Sequence, residues 1–358
     1  MRIIGPILFL FFLSALPAIA TAATPEETPL SEVAVPGEVK QVALNADGTR
    51  VAVLSDQTLS WYDKDGTLSW HVPANNVETF GASDDGALLV TGGADLRAYD
   101  HRGDRAFRLD TGYFALGVGV SPDGSCIAAG FDNRSLVLFR GDTSKDFEPA
   151  WTIETSEDVI SVALTDNGSS LVACTRDGMV NVYTGDGRLL WRYDTGGSER
   201  LTCAVTHDGA YIFVGADHGK VFLLNRNGIL IWEEVIGKRL PAVSISAEGS
   251  VIAAGGDEGV VLRTLQDDDH EPFGNRSVQV VALSSDGRRL AIAGQGGDIG
   301  FFSTGREEGS PGATLAPLAA PAGRVTSGSS TEPTATTHAS PSILPGLAAV
   351  ALLLWRRR

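Results

Sequence analysis

Cysteine is scarce in this sequence: 358 residues carry three, Cys126, Cys174 and Cys203. An odd number cannot all pair within one chain, so a fully closed disulfide framework is excluded. All three sit in apolar, strand-like runs, where a free thiol serves as a small buried hydrophobe. Basic residues are also short, 28 against 44 acidic ones, for a formal net charge of −16. So few cations cannot displace the counterions of a nucleic-acid backbone, which argues against nucleic acid as a partner. Cations or basic protein faces remain as partners for such a surface. The six histidines, His71, His101, His207, His218, His270 and His338, are scattered without the spacing of metal ligands. His207 and His218 fall in turn segments and read as solvated turn residues. The densest acidic run, residues 267–271, lacks the glycine spacing of a calcium loop and reads as a solvated loop. These residues predict no catalytic constellation, no metal site and no cofactor.

What is present is a repeat. Residues 159–197 read VISVALTDNGSSLVACTRDGMVNVYTGDGRLLWRYDTGG. Four short apolar or alternating runs are separated by the turn segments Asp166-Asn167-Gly168, Thr175-Arg176-Asp177-Gly178 and Gly185-Asp186-Gly187. Four such runs joined by tight turns make one antiparallel sheet. The first turn recurs as Asp47-Gly48, Asp85-Gly86, Asp123-Gly124, Asn167-Gly168, Asp208-Gly209, Glu248-Gly249 and Asp286-Gly287. Successive glycines lie 38, 38, 44, 41, 40 and 38 residues apart. A period near 40 with four strands per unit is the signature of propeller blades. The strands before these turns are rich in small or β-branched residues (Val42-Ala43-Leu44, Val281-Ala282-Leu283), as the crowded axis of a propeller requires.

Seven marks predict seven blades, yet the last unit offers only three strands before Gly305. Residues 31–35 can supply the missing outer strand, which removes the edges an open array would expose. The predicted fold is therefore all-β, a seven-bladed β-propeller of four-stranded antiparallel blades over residues 29–304, closed by an N-terminal strand.

Both ends differ from this domain. Residues 1–20 carry Arg2, an apolar run and small residues around Ala18-Ile19-Ala20, the pattern of a cleavable export signal. No cysteine follows the cleavage site, so a bacterial-type lipoprotein anchor is not expected. Residues 305–342 are dominated by Gly, Ser, Thr, Pro and Ala, with no hydrophobic period, and predict a disordered tether. Residues 343–358 are a short apolar segment ending in Arg356-Arg357-Arg358, which predicts membrane contact through the C-terminus. Such a segment makes a helix of about 20 Å against a hydrocarbon core of roughly 30 Å.

The segments Gly66-Thr67-Leu68-Ser69-Trp70, Gly187-Arg188-Leu189-Leu190-Trp191 and Gly228-Ile229-Leu230-Ile231-Trp232 resemble the G-x-L-x-W of pyrroloquinoline-quinone-like (PQQ-like) repeats. Trp61-Tyr62-Asp63 and Ala98-Tyr99-Asp100 resemble degenerate WD repeats. The resemblance covers residues 30–304 and implies the propeller fold. It leaves the function open, because propellers host enzymes, scaffolds and assembly factors. A quinone-dependent oxidoreductase would need a calcium site and a cofactor floor, for which no matching residue set is found. Exported propellers of this mixed type, acidic and with a Ser/Thr-rich tail, are similar to surface proteins of archaea, methanogens in particular. The tail, with Pro345-Gly346 before the apolar segment, resembles a tripartite sorting signal of the archaeosortase or exosortase kind. The archaeal signals carry Pro-Gly-Phe where this chain has Leu347. A plain retained anchor is the other reading.

Topology points to one candidate surface. Loops entering first strands and turns joining second to third strands emerge on the same face, the rim face, around the channel. The first set offers Asn75, Asn76, Tyr113, Phe114, Asp158, Glu199, Arg200, Lys238 and Arg239; the second offers Asp56, Asp95, Asp132, Asp177, Asp217 and Asp257. The acids make either a cation-attracting rim or a set of turn formers. Tyr113 and Phe114 are either protein-contact anchors or packing between blades. Three N-x-S sequons, at Asn133, Asn167 and Asn275, fall at turns and are candidate glycosylation sites. The leading expectation is a non-enzymatic cell-surface propeller that binds a protein or envelope component. The alternative is an extracellular oxidoreductase or lyase working at the channel mouth.

Overall fold

In the computed structural model, residues 29–305 are described except 143–144, 266–269, 274–276 and 295. They form 28 strands in seven four-stranded antiparallel sheets. Residues 39–73, 77–109, 115–154, 159–194, 201–235 and 242–273 make blades 1 to 6, each a run of four consecutive strands. Blade 7, residues 278–303, supplies three, and the strand Ser31–Ala34 takes its outer place beside Asp298–Ser303. The expected closure is therefore observed. Its register runs from Ser31 opposite Phe301 to Ala34 opposite Asp298. Leu30 N–H and Val35 N–H extend the seam to the carbonyls of Phe301 and Gly297 at 2.6 and 2.8 Å.

The first strands of the seven blades pack against one another in a closed ring about the axis. The approach is close enough to exclude side chains in places. A Cβ on Gly81 would lie 2.8 Å from the backbone nitrogen of Val120, and one on Gly117 would lie 3.0 Å from that of Ser161. This is the physical reason for the small residues of these strands.

Each blade buries both faces, so the core is a set of seven apolar layers, one at each blade–blade interface. The layer between blades 7 and 1 joins Val33 and Val35 to Val51, Val53, Ile299 and Phe301. Second strands are covered on both sides and read as unbroken runs, not as alternation: Leu88–Gly93, Cys126–Phe131 and Val251–Gly256 are buried at every position.

The outer strands dock through tryptophan. Trp70 donates its indole N–H to His101 O at 3.1 Å and lies over Gly103 of blade 2. Trp191 does the same to Arg226 O at 2.8 Å and Gly228 of blade 5. Trp151, which no G-x-L precedes, repeats the arrangement on Gly185 O at 3.0 Å and Gly187 of blade 4. A Cβ on Gly228 would fall 2.8 Å from the Trp191 ring, and its φ of +75° is one that L side chains rarely adopt. The motif glycine thus serves the tryptophan of the preceding blade.

Candidate functional site

Seven turns build the face opposite the rim, and one hydrogen-bond device makes all of them. A Ser, Thr or Asn two residues before each Asp-Gly, Asn-Gly or Glu-Gly mark accepts the N–H of the residue five positions on. Leu88 N to Ser83 Oγ is 3.0 Å, Ser170 N to Thr165 Oγ1 is 2.8 Å, and Arg50 N to Asn45 Oδ1 is 2.8 Å. Ser83, Ser121 and Ser284 also donate their hydroxyls to the aspartates two residues on, Asp85, Asp123 and Asp286. Buried hydroxyls are satisfied locally and the turn is locked.

The residue between this cap and the mark is thereby aimed at the axis. In chain order these residues are Ala46, Asp84, Pro122, Asp166, His207, Ala247 and Ser285. Their backbones form a ring from blade to blade. Ala46 N–H donates to Asp84 O (2.8 Å) and Asp84 to Pro122 O (2.9 Å). Asp166 donates to His207 O (2.9 Å), His207 to Ala247 O (3.0 Å) and Ala247 to Ser285 O (2.8 Å). Asp286 N–H returns to Ala46 O at 3.2 Å. Pro122, without an N–H, cannot donate the link from blade 3 to blade 4.

Four polar side chains meet inside this ring. His207 Nε2 lies 3.2 Å from Asp84 Oδ2, and Nδ1 lies 3.6 Å from Asp166 Oδ1. Ser285 Oγ donates to the same Asp84 oxygen at 2.7 Å. Blades 2, 5 and 7 are not neighbours, so these contacts cross the axis. The expectation for His207 is therefore corrected: its side chain is 27% exposed and braces the channel mouth. The short spacer position, not the turn itself, directs it inward. His218 remains an exposed turn residue with φ of 64°.

Chemically the brace is a cluster of two carboxylates, an imidazole and a hydroxyl. Ser285 hydrogen-bonds a carboxylate, not the imidazole, which is not the pairing that makes a serine nucleophile. Burial pushes the Asp84 carboxyl above the ordinary aspartate range, against the pull of the Ser285 hydrogen bond and the His207 charge. A carboxyl raised in the folded state favours folding at low pH and loses that contribution as pH rises through its folded value. Asp84→Asn cannot ionise. Its denaturation midpoint relative to the parent should therefore rise between about pH 3 and about pH 7. A flat or falling difference across urea titrations in that window would refute the assignment.

On the rim face the aspartates have a common job. Asp56 accepts Glu38 N–H at 3.1 Å, Asp132 accepts Phe114 N–H at 3.1 Å, Asp217 accepts Arg200 N–H at 3.0 Å and Asp257 accepts Lys238 N–H at 2.8 Å. Each acid of a second-to-third-strand turn thus holds the loop that enters its own blade. The Lys238 N–H is the largest influence on Asp257 and keeps its carboxyl below the ordinary range. Burial works against Asp177, yet hydrogen bonds from Thr175 and Ser156 hold its carboxyl low as well. Asp95 is the exception, buried and paired with Arg97 at 2.8 Å and with Arg108. Asp158 lies 3.5 Å from Arg176. Glu199, Arg200, Lys238 and Arg239 are exposed.

The rim aspartates do not converge; one stands in each of blades 1 to 6, and those of blades 1, 3, 5 and 6 are held by backbone N–H donors. Tyr113 is 44% exposed, whereas Phe114 is half-buried and tied to Asp132 through both backbone groups. Asn133 is half-buried and accepts Ser135 N–H at 3.2 Å, which leaves its amide nitrogen unused by that bond. Asn167 is exposed in a tight turn with φ of 54°. Asn275 lies outside the described residues, as do Asp267, Asp268 and Asp269 of the acidic run. Among the described residues no group of three or more His, Cys, Asp or Glu is arranged to hold a metal ion.

A closed ring of four-stranded blades, stitched by outer-strand tryptophans onto turn glycines, defines the class of PQQ-like propellers. The chain belongs to the family described as outer membrane protein assembly factor BamB, which matches residues 92–292, more than half of its length. That match runs from the second strand of blade 2 to the second strand of blade 7. No match to a curated protein was found.

Proposed function

We propose that this protein is an exported, non-enzymatic propeller that docks a basic protein partner of the cell envelope on its rim face. The observation that carries the reading is the rim: acids are fixed around the mouth, and Tyr113, on a loop of the same face, is a large aromatic left 44% exposed. A propeller fold suits a protein-interaction module, and a family described as an outer-membrane assembly factor supports an envelope setting. Residues 1–20 act as the export signal, residues 305–342 as a tether and residues 343–358 as the membrane attachment or its sorting signal. Apart from Gly305, those segments lie outside the described residues, and no helix among the described residues is long and apolar enough to cross a membrane. Export also brings Asn133, Asn167 and Asn275 within reach of a glycosyltransferase. The resemblance to archaeal surface propellers belongs to the same proposal.

The test is capture of envelope proteins from the native host by the domain spanning residues 29–304. Tyr113→Ala should weaken capture at least about tenfold, as loss of an aromatic anchor does. Raising salt should slow association, because the rim steers a cationic surface. Capture indifferent to both changes would overturn the rim as the docking face. A chromophore or catalytic metal retained by the purified protein would instead favour the enzymatic alternative.

A further inference from the structure

Two of the three cysteines face each other across a blade interface. Cys174 lies in the second strand of blade 4, Ser170–Thr175, and is fully buried. Cys203 lies in the first strand of blade 5, Leu201–Val205, and is half-buried beside the channel. The two side chains meet in the apolar layer between blades 4 and 5, near enough for each sulfur to influence the other's ionisation. Ser161 fixes the pair from the third side. It stands opposite Cys174 in the register of blade 4, its hydroxyl accepts Cys203 N–H at 3.2 Å, and it lies 3.4 Å from Cys203 Sγ. Backbones approach closely at this level of the ring. At the places that correspond to this pair, a Cβ on Gly92, Gly215 or Gly255 would lie 2.5, 3.0 or 2.7 Å from a γ-carbon of Val118, Val243 or Val281 in the next blade. Cystine needs Cβ atoms about 3.8 Å apart, so reach is not the obstacle. Cys126 belongs to a different layer, between blades 3 and 4, where Arg140 Nη1 donates to its sulfur at 3.3 Å.

We propose that Cys174 and Cys203 are a redox-active pair that closes to a disulfide joining blade 4 to blade 5. The oxidant is a small disulfide, and export as proposed above would place the pair where such oxidants prevail. The Cys174 side chain, with help from Ser161, holds the Cys203 thiol below its usual range against the effect of burial, whereas Cys203 and burial together push Cys174 up. Cys203 is thus the attacking sulfur, on the residue of the pair that is half-buried, whereas Cys174 is fully buried. As thiolate it attacks one sulfur of the oxidant and expels the first small thiolate. Cys174 then loses its proton and attacks Cys203 Sγ in the mixed disulfide, expelling the second. Two protein thiols are oxidised, one small disulfide is reduced to two thiols, and the two protons pass to those thiolates.

The test is incubation of the full chain, previously reduced, with oxidised glutathione, followed by thiol counting, non-reducing peptide mapping and thermal melting. One free thiol, Cys126, should remain, and one cross-linked peptide should join Cys174 to Cys203. Melting should rise by roughly 5 °C, as expected for a loop of this length. Cys174→Ser should stop at a stable glutathione adduct on Cys203, whereas Cys203→Ser should form neither adduct nor cross-link. Three free thiols after oxidation of the folded parent would overturn the pairing. So would a cross-link to Cys126, or an adduct on Cys203 that never resolves. These readouts need neither a partner nor a membrane, so their failure is distinct from failure of the docking proposal.

Discussion

A chain that begins at Glu38 is expected to lose at least about 10 °C of thermal stability and to aggregate on purification. Removing residues 31–35 takes away Val33 and Val35, both 6% exposed, from the layer between blades 7 and 1. Burying a valine contributes about 1.5–3 kcal/mol, so the two together account for several kcal/mol. The loss extends to the blade left behind. Ile299 and Phe301, 0% and 5% exposed, pack in the same layer and would meet solvent. The strand Asp298–Ser303 would present a row of unpaired backbone groups, a template for pairing with another copy. At roughly 2–4 °C per kcal/mol for a domain of this size, the melting shift follows. Differential scanning calorimetry and light scattering on the truncated and parent chains measure both effects. An unchanged melting temperature would show that blade 7 stands without its fourth strand.

That strand was legible in the sequence because it solves a counting problem. Seven turn marks and a three-strand last unit leave one outer place, and residues 31–35 are the apolar run available to fill it. The motif tryptophans were equally legible, and the contact of Gly228 with Trp191 has counterparts at two other blade pairs, Trp70 on Gly103 and Trp151 on Gly187. Trp151 escaped because its contact is set by where the outer strand sits, and no glycine precedes it to announce the position.

The axial brace was hidden for another reason. Asp84, Asp166, His207 and Ser285 are separated by 41 to 201 residues, and no local pattern ties a histidine to an acid three blades away. Yet the device that aims them inward is local. A Ser, Thr or Asn two residues before each mark is present in all seven repeats, and the residue between is the axial one. Reading Ala, Asp, Pro, Asp, His, Ala, Ser down that column would have placed the polar four together. The rim aspartates show the converse limit. Asp is common at turns, and only the distance from Asp257 to Lys238 N–H reveals that the carboxylate also holds the loop of its own blade.

The second large effect is expected at Trp61, where Ala should cost about 3–5 kcal/mol, the range for emptying a buried aromatic site. Trp61 is 2% exposed, in the third strand of blade 1. Its six-membered ring reaches the first turn of blade 2, where a Cβ on Gly86 would fall 2.6 Å from Trp61 Cζ2. Its other neighbour is Trp70, stacked at 6.2 Å with an interplanar angle of 3°. One side chain thus fills the space between two blades and supports the tryptophan that docks on Gly103. The surrounding strands are held by their own ladders and cannot collapse into the void. Trp70→Ala, at a half-buried site, should cost less, about 2 kcal/mol, mainly from the hydrogen bond to His101 and the lost stacking. Because the two rings touch, the double variant should fall short of the sum by about 0.5–1.5 kcal/mol. Urea unfolding of the parent, the two single variants and the double variant closes that cycle. Strict additivity would mean that the stacked pair contributes nothing beyond its separate burial, and that each blade is held to the next by independent contacts.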